Sequence, residues 1–307
     1  MFRPLFFIAL LGSLVSAANL NKCTSGTTTF SHGVGNWAEE RGLSNGWKVT
    51  NEGLVLTLEA PKKIVRMTNS SDNNNPYNKY ESPTSPNFVY STLLHYGTVS
   101  YIVKVADKAG AVTAATLMAP GGDEIDFEML GADHNKVQTN FFYGPTPVYV
   151  VNSRDTEVDI NTTSGFHNYT IDWSPERINF YVDRKLIRTA KNDNDCNEKG
   201  NCTYPTHAAA IEIGLWDAST VSSTAQWARG PIDWTTGETI NATVKSVTVK
   251  CNSKTIVHYT LFAYSTSDAP RNHPNGFQGE SNLTSDTNAE RNARSNGRSC
   301  FVNVIES

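Results

Sequence analysis

The 307-residue chain is 38% hydrophobic and 18% charged, with a formal net charge of −4. That length admits one large all-β domain or two ordinary domains, and a weakly acidic balance offers no footing for a nucleic-acid partner. Gly, Ser, Thr and Asn are plentiful, which suits many short strands joined by turns.

Residues 1–17, MFRPLFFIALLGSLVSA, read as a secretory signal. Arg3 supplies the positive start, Leu5 to Val15 an apolar stretch, and Val15-Ser16-Ala17 a small-residue cleavage site. The apolar run falls short of the roughly 20 residues that span a bilayer. The mature protein is therefore expected to be secreted, outside the cell. An oxidising compartment gives meaning to Cys23, Cys196, Cys202, Cys251 and Cys300. An odd count leaves one of them free or intermolecular, and Cys196 with Cys202, flanking a short polar loop, is the expected bridge. Six N-x-S/T sites, at Asn69, Asn161, Asn168, Asn201, Asn241 and Asn282, fit a glycosylated surface.

Strand patterns then follow in order. GLVLTLEA (53–60), TVSYIVKVA (98–106), KVQTNFFYG (136–144) and HNYTIDW (167–173) alternate or run β-branched and aromatic. RINFYVDRKLIRT (177–189) reads as two strands around an Asp183-Arg184 turn, and INATVKSVTVKC (240–251) as another strand. No window carries a capped amphipathic helix, and no solenoid-length repeat is present. One all-β sandwich domain over residues 18–264 is the economical reading. Residues 265–307 are rich in Ser, Asn, Pro, Gly and charge, and are expected to be a polar, disordered tail. They end without a hydrophobic stretch, so no membrane or lipid anchor is expected.

DEIDFEML (123–130) sets Glu124, Asp126 and Glu128 at every second position. On a strand they share one face, and Ile125 and Phe127 the other. The Cα atoms of Glu124 and Glu128 then lie about 13 Å apart. Inward-leaning side chains bring the carboxyls to about 5–6 Å, near the separation a retaining glycosidase needs. Three like charges on one partly dry face cannot all ionise, which would leave one group as acid and another as nucleophile. Spacing alone also fits the solvated face of an edge strand or a calcium site.

Other chemistries find no support. The seven histidines form no zinc-binding pattern, so no metal and no cofactor is expected. Gly121-Gly122 lacks the Lys-Ser/Thr of a phosphate loop, and DNDCNEKGN (193–201) lacks the turn Gly and closing Glu of a calcium loop. His167 has no Ser or Cys nucleophile motif beside it and reads as a structural hydrogen-bonding group.

Glu124-Ile125-Asp126-Phe127-Glu128 resembles the E-x-D-x-E signature of glycoside hydrolase family 16. That resemblance implies a β-jelly-roll sandwich of two antiparallel, concanavalin-like sheets. It also implies that Glu124 is the nucleophile, Asp126 the assisting acid and Glu128 the general acid/base. FHNYTIDWSPERINFYVDRKLIRT (166–189) is similar to a strand pair of the family. LWDASTVSSTAQWARGPIDW (215–234) resembles the fungal Crh-type cell-wall chitin–glucan transglycosylases. Against that pattern, Asp217 stands where Pro is usual, Gln226 where Glu is frequent and Arg229 where Gly is usual. Cys23 stands alone where a pair is expected, and there is no Cys-rich chitin-binding module. Asp217 to Arg229 would border the cleft, so the acceptor preference is open.

A glycan cleft needs aromatic platforms and short polar groups, and Trp216 and Trp227 are the candidate platforms, with core filling as the competing role. Gln138 and Asn140 share a strand face with Phe142; the resemblance turns that face to the cleft, where both amides would bond sugar hydroxyls. Tyr143 is a further candidate at the strand end. The leading expectation is a monomeric retaining transglycosylase of the fungal wall that cleaves a β-1,4 chitin-type donor and transfers it to β-glucan or chitin. A β-glucan or chitin hydrolase with the same two Glu, or a non-catalytic glycan-binding jelly roll, are the alternatives.

Overall fold

Apolar side chains at every second position give strands with one dry face each, and in the computed structural model these pair into two large antiparallel sheets. The structure describes residues 23–252 apart from 41–42, 44, 72–73, 81–84, 145–148, 150 and 193–202, all within one compact unit. The expected signal (1–17), the expected tail (265–307), the Cys196–Cys202 pair, Cys300, Asn201, Asn282 and the 193–201 segment lie outside the described residues.

The first strands are β1 (Gly26–Thr29), β2 (Trp37–Glu39), β3 (Trp47–Thr50), β4 (Gly53–Leu58), β5 (Val65–Asn69) and β6 (Asn75–Lys79). The middle of the chain supplies β7 (Asn87–Leu94), β8 (Gly97–Lys104), β9 (Ala111–Met118), β10 (Glu124–Leu130), β11 (Lys136–Phe142) and β12 (Arg154–Glu157). The last are β13 (His167–Trp173), β14 (Arg177–Val182), β15 (Lys185–Lys191), β16 (Ala209–Asp217) and β17 (Ile240–Cys251). One six-residue helix, α1 (Ser222–Trp227), interrupts the β pattern after β16.

One sheet runs β15-β14-β13-β8-β17-β4-β3, with β1 also paired to β17. The other runs β12-β11-β10-β9-β16-β7-β2. A separate hairpin, β5-β6, docks near α1 through hydrogen bonds from Asn78 Nδ2 (2.9 Å) and Arg66 Nη2 (3.3 Å) to the carbonyl of Ile232. The two sheets enclose one apolar core. Phe127 of β10 meets Tyr169 and Phe180 of the opposite sheet at centroid distances of 5.7 and 5.3 Å, both edge to face, the arrangement the ring quadrupoles favour.

The expected turn between β14 and β15 is present. Asp183 (φ 47°) and Arg184 (φ 69°) both take left-handed backbone, as a two-residue hairpin that matches strand twist demands. The Asp183 carboxylate accepts from the Asn168 amide (2.8 Å) and pairs with His167 Nδ1 (2.7 Å), while His167 Nε2 lies 3.1 Å from the Asn161 carbonyl. His167 is thus the structural group its sequence context indicated. Gly131 ends β10 because nothing larger fits: a Cβ there would lie 2.4 Å from the Lys108 carbonyl and 2.6 Å from that of Ala106.

Cys23, which the sequence left without a partner, is disulfide-bonded to Cys251 across 228 residues of chain. It ties the start of the described chain to the end of β17. Closing so long a loop removes much entropy from the unfolded chain. Cys23→Ser is expected to lower unfolding free energy by on the order of 2–5 kcal/mol, read as a lower denaturant midpoint; an unchanged midpoint would show that the bridge contributes nothing.

Candidate active site

Ile125, Phe127 and Met129 are buried in the core, so strand alternation turns Glu124, Asp126 and Glu128 to the opposite, outward face of the seven-stranded sheet. Register places neighbours beside each acid. Glu124 lies between Met118 and Phe142, Asp126 between Thr116 and Asn140, and Glu128 between Ala114 and Gln138. One strand further, Thr116 pairs with Glu212 of β16. Ile211, Ile213 and Leu215 of β16 are core residues, so Glu212 shares the outward face and is a fourth carboxylate there. Nothing in the run AIEIGLW marked it, because a lone Glu between apolar residues has no spacing partner within its own strand. Its carboxylate accepts from Asn87 Nδ2 at 2.8 Å.

Small side chains on β9, Ala114 and Thr116, keep the floor of this face low between the two acidic strands. Asp126 is 2% exposed, whereas Glu124 and Glu128 are half-buried and reachable from outside. Asp126 Oδ1, Glu128 Oε2 and Asn140 Oδ1 are buried and have no hydrogen-bond partner. Buried oxygens without partners are costly, and these three occupy neighbouring positions on one sheet face.

Electrostatics follows from crowding. Burial, then the charges of Asp126 and Glu212, push Glu124 well above the usual carboxylate range. Burial, Asp126 and Glu124 do the same to Glu128, opposed by a hydrogen bond from Trp216. Burial raises Asp126 to about 7, with Arg188 pulling the other way. The three carboxyls crowd one another, so ionising one of them raises the proton affinity of its neighbours.

The candidate sugar-contacting residues separate. Trp216 and Trp227 stack with centroids 5.8 Å apart and planes at 18°, half-buried on a small apolar cluster of Val112, Leu130, Ala218 and Ala228. They lie at the Glu128 end of the row. Trp227 Nε1 donates to Gln138 Oε1 (3.0 Å), and Gln138 Nε2 donates to Asp155 (2.6 Å). Gln138 therefore braces Trp227, while Asn140 keeps its carbonyl oxygen unpaired. Tyr143 lies past the end of β11, tilted against the ring of His207 at 5.7 Å. At the Glu124 end, Phe142 meets Tyr149 edge to face at 5.6 Å, and the Tyr149 hydroxyl feels the charge of Glu124. This second aromatic pair was not singled out in the sequence, since Phe142 and Tyr149 belong to no shared motif.

Asp217 corrects an expectation. It alternates with Trp216, is buried, and caps Ser219 N (2.7 Å) while accepting from the Tyr80 hydroxyl, so it faces away from the cleft. Arg229 holds a left-handed backbone (φ 60°), the conformation that makes Gly the easier residue there, and reaches Asp133 at 3.2 Å. Asp123, 1% exposed, accepts from the amides of Gly144 (2.8 Å), Thr206 (2.8 Å) and His207 (3.0 Å) and pairs with His207 Nδ1 (2.9 Å). It pins two loops to the start of β10. Those hydrogen bonds outweigh its burial and hold its carboxyl below the usual range.

The family model for glycosyl hydrolases family 16 matches residues 36–236. The chain is 32% identical over 180 residues to a Crh-like protein of Arthroderma benhamiae, covering 57% of this chain and 47% of that one. It is 35% identical over 145 residues to Crh-like protein UTR2 of Candida albicans (46% and 30% covered). It is 37% identical over 143 residues to probable glycosidase CRR1 of Saccharomyces cerevisiae (45% and 34% covered). The chain thus spans less than half the length of these relatives. Among solved structures, the Crh5 transglycosylase in complex with NAG superposes with a TM-score of 0.63 at 23% identity, covering 77% of this chain and 88% of that one. Bacillus licheniformis β-glucanase does so with a TM-score of 0.59 at 19% identity (76% and 100% covered). Both share the fold.

The hydrogen bond from Trp216 stabilises the ionised form of Glu128, so its loss must raise the Glu128 pKa further. Trp216→Phe is expected to move the Glu128 carboxyl titration, followed by carbon-13 NMR, to higher pH; a shift to lower pH would contradict the arrangement.

Proposed function

The chain belongs to glycosyl hydrolases family 16, and on that premise we propose that it is a retaining transglycosylase of the fungal cell wall. The observation that carries the reading is the row of Glu124, Asp126 and Glu128 on the outward face of β10, with unpaired buried oxygens beside it and an aromatic pair at either end. In the proposed reaction a Glu124 oxygen attacks the anomeric carbon of a β-1,4-linked, chitin-type donor. Glu128 gives its proton to the departing oxygen, and the sugar is left esterified to Glu124. A hydroxyl of β-glucan or chitin then attacks that carbon, losing its proton to Glu128 and freeing Glu124.

The surroundings support these roles unevenly. A carboxyl that holds its proton more tightly than usual is what a general acid needs, and burial and its acidic neighbours make Glu128 one. Glu124 must instead react ionised, although Glu212 works against that. A proton resident on Asp126 offsets this, because the protonated neighbour no longer repels Glu124 and can donate a hydrogen bond to its anion. Asn140, Trp216, Trp227, Gln138 and Tyr143 complete the proposed binding surface, Gln138 by bracing Trp227. The proposed domain covers residues 18–264, behind a leader at 1–17, and the protein acts as a secreted glycoprotein on cell-wall polysaccharides.

Transfer and hydrolysis share every step up to the glycosyl-enzyme and differ in whether a sugar hydroxyl or water resolves it. Chitin oligomers mixed with fluorescent β-glucan oligomers are expected to yield a fluorescent hybrid product. Glu124→Gln and Glu128→Gln should each reduce that yield by roughly 10²–10⁴-fold without loss of folding. Donor cleavage with no hybrid product would assign hydrolysis, and glycan binding without cleavage a non-catalytic module.

A further inference from the structure

Behind the acidic strand, between the two sheets, lies a guanidinium that the proposed reaction does not use. Arg188 belongs to β15, the edge strand of the opposite sheet, yet its side chain reaches across to β11. Nη1 donates to the Thr139 carbonyl and hydroxyl, both at 2.8 Å, and Nη2 donates to the Asn152 carbonyl at 2.6 Å. Its carbon lies 5.4 Å from the ring centroids of both Phe141 and Phe180. Its hydrogen-bond acceptors are therefore neutral, its lateral neighbours aromatic, and none of the ion pairs among the described residues includes it.

A cation drawn out of water with only neutral acceptors is destabilising unless negative charge lies close. The geometry shows where that charge is. Thr139 sits between Gln138 and Asn140, which are registered against Glu128 and Asp126. The carbonyl that Arg188 grips belongs to the peptide leading into Asn140, directly behind the centre of the acidic row.

We propose that Arg188 is the counter-ion of that row, a positioning residue that acts on Asp126 through the sheet and not from the cleft. The same bonds join β11 to the segment around Asn152, next to the Phe142–Tyr149 pair. The charges around Asp126 leave this role to Arg188. Glu124 and Glu128 on its own strand and Glu212 on β16 all repel an ionised Asp126, and the flanking Thr116 and Asn140 are uncharged. From the opposite sheet comes Arg188, with Arg154 of β12 as a second cation near it. Burial and Arg154 lower the Arg188 pKa only to about 10, with Asp126 supporting the charge, so the guanidinium stays positive wherever the row titrates. Asp126 is pulled down by it, and loss of the cation must move that titration upward.

The inference rests on the catalytic reading of the row, but its test does not need turnover. The Asp126 carboxyl is titrated by carbon-13 NMR in the full chain and in Arg188→Gln and Arg188→Lys. Arg188→Gln is expected to raise the midpoint by roughly one pH unit or more, and Arg188→Lys to leave it within a few tenths. In a separate assay, the alkaline limb of the transfer-rate profile should move up with the midpoint, since the reaction uses Asp126 in its protonated form. An unmoved midpoint in folded Arg188→Gln overturns the proposal, whereas a moved midpoint without any turnover overturns the catalytic reading alone. If Arg188→Gln fails to fold, Asp126→Asn/Arg188→Gln should fold, since neither buried charge then remains. Failure of the double variant as well would make Arg188 a packing residue and overturn the proposal.

Discussion

Like-charge repulsion on a nearly dry surface is the constraint around which the rest of this structure is arranged. Glu124, Asp126, Glu128 and Glu212 occupy one face of one sheet, where water screens them poorly. Left alone they would turn outward or take up protons. Burial and mutual repulsion raise the proton affinity of Glu124, Asp126 and Glu128, and the backbone allows no escape because each lies within a paired strand. That state is what acid catalysis at a glycosidic bond requires. The repulsion is thus a property the fold maintains, not a defect it tolerates.

Maintaining it takes support from behind and from the sides. Phe127, between two of the acids in sequence, is held edge to face by Tyr169 and Phe180 of the opposite sheet. A rotation of β10 that relieved the acids would expose that ring, at a cost of about 2–3 kcal/mol in lost burial. Asp123 fixes the start of the strand to two loops through four hydrogen bonds, and the close approach of backbone at Gly131 fixes its end. Trp216, with Trp227 stacked on it, tempers Glu128 from one side, and Arg188 tempers Asp126 from the core. The acids are unequal because their supports are unequal.

Much of this was legible in the residues. Strands β13, β14 and β17 have the bounds the sequence indicated, and β4, β8, β10, β11 and β15 differ from theirs by one or two residues at an end. Each turns apolar residues to the core and polar or charged ones to the other face, and period two is then written in the sequence. Strand β9 was not legible. AVTAATLM has no alternation, because its outward face between the acidic strands carries Val112, Ala114 and Met118 beside a single polar residue, Thr116. The edge strands β2, β3 and β12 are too short to show a period.

For the site, local chemistry determined which residues share a strand face: Glu124 with Asp126 and Glu128, and Gln138 with Asn140. That follows from strand geometry alone and needs no tertiary information. Only the folded sheet order decided that Glu212, some 85 residues away, joins them, that Asp217 turns inward beside Trp216, and that Gln138 is committed to Trp227 while Asn140 stays open. Only the packing of one sheet on the other set Arg188 behind Asp126, and only the pairing of β1 with β17 set Cys23 against Cys251. Periodicity reports which way a side chain points along its own strand. Which charge it meets there depends on strand pairing and sheet stacking, contacts between residues far apart in the chain that a local pattern does not encode.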